Sequence, residues 1–177
     1  MKHARHYAEH MMRGAGSIPP TLFADTEDGL LMCVPSQMED ERAKNNFANT
    51  SRMIAVGYRA TAVAMVLESW ITKAKPGKSL DPSVPPSESP DREECVVITV
   101  ENREDSQQQI LLIQRDASGK FLGFSPAQMP KLDGMEGRFA QMMPPKIPSE
   151  EDSKMARQLL KMMGVFPESR GFNPMWN

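Results

Sequence analysis

The histidines of the chain are His3, His6 and His10, all near its start. Spacings of three and four residues bring their imidazoles within about 60° of one helical face. That geometry can share a divalent metal, and a bound metal can activate water for hydrolysis. Glu9, the acid nearby, points farther round the polar side, and no cysteine is close. The plainer expectation is three solvated histidines and no cofactor. A second candidate is Glu68, which with Arg52 and Arg59 supplies the charge of the apolar run Ser51–Ile71. A carboxylate in such surroundings is either paired with an arginine or perturbed in pKa as a general acid or base. Catalysis would need a second titratable group in a cleft, and none is apparent.

A third set of residues is suited to contact rather than catalysis. The chain holds 15 methionines, and Met129, Met135, Met142, Met143, Met155, Met162 and Met163 concentrate in its last third, followed by Phe166, Phe172 and Trp176. Methionine is flexible and polarizable, and surfaces rich in it adapt to partners. Exposed apolar groups at that density demand cover. Met142, Met143, Met162, Met163, Phe166, Phe172 and Trp176 are therefore the expected protein-contact residues, and loop packing onto the body is the alternative.

Other catalytic vocabulary is missing. Pro90-Asp91 before an apolar strand lacks the Glu-x-Lys or Asp-x-Lys that a nuclease metal motif needs on the next strand. Gly134-Met-Glu-Gly-Arg-Phe139 neither follows a strand nor opens a helix, as a phosphate loop would. There is no Gly-x-Ser-x-Gly, Walker or Cys-x-x-Cys pattern, and no internal repeat.

The elements that must position these residues are readable in outline. Residues 2–13 form an amphipathic helix with Ala4, Tyr7, Ala8, Met11 and Met12 on one side, stopped by Gly14-Ala-Gly16. A hairpin follows, Thr21–Ala24 and Leu30–Val34 around Asp25-Thr-Glu-Asp-Gly29. Next comes a long helix over Gln37–Ala74, capped by Ser36 with Glu39 in a capping box and stopped by Pro76-Gly77. Its second half is apolar nearly all round, so other elements should enclose it. A break is expected near Asn45–Ser51, where Asn, Thr and Ser compete with the helical backbone. Gly57, Ala60, Thr61 and Ala64 make a small-residue stripe leading to Glu68, fit for close approach of sheet or partner. Lys75–Asp91, with five prolines, is an exposed connection. A three-stranded meander follows over Cys95–Val100, Ile110–Ile113 and Lys120–Phe124. A last helix starts at Ser149 and ends at Gly164.

The expected fold class is α+β: an antiparallel sheet of about five strands on one long central helix, with short N- and C-terminal helices. In element order the chain resembles roadblock, longin and profilin-like domains, and that resemblance implies the same helix-covered sheet. Residues 1–164 make one domain, with 75–93 as the exposed connection and 165–177 as an aromatic-containing tail.

Net charge of −2 gives no electrostatic reason to expect nucleic acid or membrane as partner. Phe23–Glu41 holds six acids and no base, a solvated face or a dock for a basic partner. Cys33 and Cys95 lie in strand-like runs as buried thiols, which favours a reducing, cytoplasmic setting. No secretory signal or membrane span is readable. The expected function is a non-catalytic protein-interaction domain, as a homodimer, adaptor or inhibitor within a larger assembly; an origin on a phage or mobile element is compatible with it. The rivals are a metal-dependent hydrolase built on the histidine helix and a structural subunit of a larger particle.

Overall fold

Helix α1 spans Lys2–Ala15 and buries Ala4, Tyr7, Ala8 and Met12. It ends at Gly16, whose φ of 74° is left-handed, a conformation glycine adopts without steric cost. The hairpin follows as β1 (Thr21–Thr26) and β2 (Gly29–Cys33). The computed structural model describes residues 1–36, 38–74, 77, 79–81, 83–127 and 137–170.

The long helix expected over Gln37–Ala74 is two elements of different type. Helix α2 runs over Glu41–Gly57, and β3 over Ala62–Thr72. Asp40, rather than Ser36, caps α2, its carboxylate accepting from the Ala43 N–H at 2.6 Å. Helix α2 also passes unbroken through Asn45–Ser51, the Ser51 hydroxyl bonding back to the Phe47 carbonyl at 2.8 Å. The stop lies at Tyr58–Ala60. Arg59 takes a left-handed φ of 49°, its N–H donates to the Val56 carbonyl, and the Ala60 N–H donates to the Ala55 carbonyl at 2.9 Å. This is a Schellman motif with arginine where glycine is usual. The Thr61 N–H then donates to the Asp25 carbonyl at 2.8 Å, turning the chain into the sheet.

The meander follows as β4 (Arg92–Asn102), β5 (Ser106–Arg115) and β6 (Phe121–Pro126). Helix α3 is Glu150–Met162, and Glu168–Arg170 adds a short strand, β7, beside β2. The sheet order is β6-β5-β4-β3-β1-β2-β7, and among the described residues its strands pair antiparallel throughout. The expected α+β class with an antiparallel sheet is therefore present. The single long covering helix is not, and with it goes the element order on which the resemblance to roadblock-like domains rested.

Both faces of the sheet are covered, which explains the unbroken apolar character of β3. Phe23, Val66, Val96, Ile98, Leu111 and Phe121 pack with α1. Their alternates Leu22, Ala24, Val63 and Met65 pack on the other face with Phe47, Ile54 and Ala55 of α2 and Leu160 of α3. The small-residue contact is partly accounted for. Gly57 lies against α3, where an added Cβ would stand 3.3 Å from the Arg157 backbone N and 3.4 Å from the Ala156 Cβ. Within the 75–93 connection, Pro86–Glu88 forms a 3-10 turn that packs against β3 and β4. No helix among the described residues is long and apolar enough to cross a membrane.

The Schellman turn yields a stability prediction. Arg59 is exposed, and its left-handed backbone is one that glycine adopts more cheaply. Arg59→Gly should stabilise the fold by about 0.5–1 kcal/mol, and Arg59→Val should destabilise it by at least about 1 kcal/mol. Urea unfolding would read both. A destabilised glycine variant would show that the arginine side chain matters more than its backbone.

Candidate functional site

Helix α3 begins with strong local signals. The Ser149 hydroxyl accepts from the Asp152 N–H at 3.1 Å, and Glu150, Glu151 and Asp152 place negative charge at the positive end of the dipole. Lys161 stands in the last turn, and Gly164 at φ 72° closes the helix. The buried face of α3 is made of Ser153, Ala156 and Leu160. Two of these side chains are small, so α3 approaches α2 closely, and the Arg157 guanidinium donates to the Gly57 carbonyl at 2.6 Å.

Apart from Leu160, the large apolar side chains of α3 point outward. Met155, Leu159 and Met162 are 55%, 45% and 82% exposed. Their spacing of i, i+4 and i+7 places them in one stripe. Met163 and Phe166, 52% and 70% exposed, continue it past the helix end. These last two also line a cleft of about 520 Å³ with Met32, Cys33, Val34 and Phe47, between the end of β2 and α2. The stripe and the cleft form one continuous candidate contact surface. Leu159 and Met155, the latter counted in the methionine excess but not among the expected contact residues, are the members of the stripe that sequence reasoning missed. Their signal was two apolar registers on one helix, 156/160 and 155/159/162, of which only one can face the core.

The other expected contact residues fall elsewhere. Met142 is 1% exposed in the core with α2 and α3, and Met143 is half-buried against the same cluster. Met142 is thus a packing residue, and the loop that holds it is clamped from two sides. Glu101, 3% exposed, accepts from the Met142 N–H at 2.7 Å and the Met143 N–H at 3.3 Å through Oε2. Arg52 donates to the carbonyls of Arg138 at 2.8 Å and Ala140 at 3.0 Å. Arg138 in turn binds Asn45 and Glu41 of α2. Phe172, Trp176, Met129, Met135 and the first three residues of the Gly134–Phe139 run lie outside the described residues.

His3 and His10 are exposed on α1 and His6 is half-buried. Among the described residues no group of three or more His, Cys, Asp or Glu side chains is arranged to hold a metal ion.

Glu68 lies on β3, not on a helix. Its Oε2 accepts from the Ile18 N–H at 2.9 Å, and its Oε1 lies 3.9 Å from the Arg115 guanidinium. Arg115 pairs more closely with Glu94, at 2.7 Å, and reaches the Gly16 carbonyl at 3.3 Å. This group ties the α1–β1 connection to three strands, and the expected arginine partner is Arg115. Cys95 is fully buried, and burial, reinforced by the charges of Glu93 and Glu68, pushes its thiol up to about 11. Cys33 is half-buried, and burial raises its thiol as well.

Two measurements follow from these contacts. Glu68→Ala leaves the buried Ile18 N–H without an acceptor and should cost about 1–3 kcal/mol, whereas Glu68→Gln keeps a carbonyl acceptor and should cost less than about 1 kcal/mol. Equal losses would mean that the charge, rather than the hydrogen bond, is what matters. In native protein at about pH 8, below both raised thiol values, a thiol reagent should leave Cys95 untouched and modify Cys33 slowly, with both reacting after unfolding. Fast reaction of two thiols in the folded chain would contradict the burial of Cys95.

No protein-family model, curated protein or solved structure matches this chain.

Proposed function

We propose that the chain is a non-catalytic protein-interaction domain whose contact surface is the outer face of α3 together with the adjoining cleft. The observation that carries this reading is the stripe of Met155, Leu159 and Met162, continued by Met163 and Phe166, all close to half exposed or more. Single exposed apolar residues are ordinary on a protein surface, and Leu122 and Ile147 are two here. Five large ones along one helix and its exit are not, because water contact with contiguous apolar surface is unfavourable by roughly 25 cal/mol per Å². A partner that covers them recovers that energy. Methionine suits the task, since its unbranched side chain conforms to a partner at little steric cost. The two unpaired thiols fit a reducing compartment, so a cytoplasmic location forms part of the proposal.

The test is site-specific photo-crosslinking in source cells, with a photoreactive amino acid at Met162 and a control at Ser118 in the exposed β5–β6 turn. A discrete adduct from position 162 that position 118 does not give is the expected result. Indistinguishable patterns would overturn the reading. Leu159→Lys with Met162→Lys should abolish the adduct formed from position 155 and change stability by less than about 1 kcal/mol, because neither side chain supports the core.

A further inference from the structure

We infer that the partner seated on α3 is a second copy of this chain, packed antiparallel to the first across a two-fold axis. The inference rests on the contact surface proposed above and adds its occupant. Its ground is the charge pattern beside the stripe. Glu151, Lys154, Gln158 and Lys161 run along one flank of α3 at spacings of three and four residues, and all four are exposed. In an antiparallel helix pair, a given flank of one helix meets the same flank of the other in reverse order. The axis that suits this flank passes beside Ala156, the midpoint of α3. Glu151 of each copy then stands opposite Lys161 of the other, and Lys154 opposite Gln158. Opposite charges meet at both ends, and the helix dipoles also run antiparallel. A parallel arrangement would set this flank against the opposite flank of the other copy, and Glu151 and Lys161 would stand about 15 Å apart along the axis without meeting.

The same axis orders the apolar side chains. About Ala156, Met155 lies one residue before the centre, Leu159 three after it and Met162 six after it. Along the seam, Met162 and Leu159 of one copy are followed by the two Met155 side chains, then by Leu159 and Met162 of the other. The six stand at six different levels along the seam, so none need occupy the same level as its symmetry mate. At ~1.5 Å per residue α3 is about 20 Å long, and Met163 and Phe166 extend the covered surface beyond it. A two-fold contact of this kind is closed and uses one patch twice, as an isologous dimer requires. A strongly charged foreign partner of either sign would meet like charge at one end of the flank.

Sedimentation of the full chain tests the inference. The wild type should sediment at twice the 19.8 kDa chain mass, and Leu159→Lys should be a folded monomer with unchanged circular dichroism. Glu151→Lys and Lys161→Glu, each alone, should weaken self-association roughly three- to tenfold, since two attractive pairs become repulsive. An equimolar mixture of these two variants should form the heterodimer in preference to either homodimer, because every opposed pair is again of opposite sign. A wild type monomeric up to about 200 μM, a dimer that survives Leu159→Lys, or a mixture without preferential heterodimer would overturn the inference. A monomeric wild type that still gives an adduct with a different protein from position 162 would overturn it while leaving the broader interaction reading intact. A monomer with no specific adduct would overturn both.

Discussion

The structure depends on the pairing of β3 with β4, in continuous register from Ala62 opposite Asn102 to Thr72 opposite Arg92. Nearly everything else is attached to one of these two strands. The hairpin joins the free edge of β3 through β1, and the rest of the meander extends from β4 through β5. Helix α1 lies on one face over Val66, Val96 and Ile98, and α2 with α3 lies on the other over Val63 and Met65. The polar ties also run to this pair. Glu68 on β3 holds the α1–β1 connection at Ile18, and Glu101 on β4 holds the 142–143 loop. A strand in that position has no solvent face over its first half, so its sequence cannot alternate.

That constraint also explains what was legible and what was not. The first and last helices, the hairpin and the meander announced themselves through caps, glycines and turn residues. Strand β3 did not, because a strand buried on both faces and an enclosed helix make the same continuous apolar run. At the end of α3, Val165 donates to Leu160 and Gly164 to Lys161; at the end of α2, Ala60 donates to Ala55 and Arg59 to Val56. The hydrogen-bonding is the same, but one left-handed position is glycine and the other arginine. Only the glycine is visible as a stop, so α2 read as if it continued into β3. The β-branched and aromatic residues Val63, Val66, Trp70, Ile71 and Thr72 were the remaining strand signal.

The exposed apolar stripe was legible in composition but not in position. Excess methionine marks the last third, and Met162, Met163 and Phe166 are exposed there. Met142 has the same composition signal and is 1% exposed. What separates them is polar, not apolar: the Glu101 carboxylate fixes the backbone at 142 and 143, and Arg52 fixes the carbonyls just before it. Clamped in this way, the loop carries Met142 inward. Nothing in the methionine itself distinguishes the two fates, and the residues that decide them lie 41 and 90 positions away in the chain.

The inversion of α3 follows from the same economy of space. An amphipathic helix ordinarily turns its large apolar side chains to the core and its small or polar ones to water. Here Gly57 on α2 and Ser153 and Ala156 on α3 bring two backbones together, which leaves room for one large inward side chain from α3, Leu160. The close approach is secured by the Arg157 bond to the Gly57 carbonyl, a contact that larger residues at the seam would prevent. Once the seam is made of small residues, Met155, Leu159 and Met162 have no place in the core of a single chain. Their retention on the outer face is therefore not required by the packing of α3, since polar residues at those positions would fold as well. That freedom from the core is what the proposed contact surface rests on.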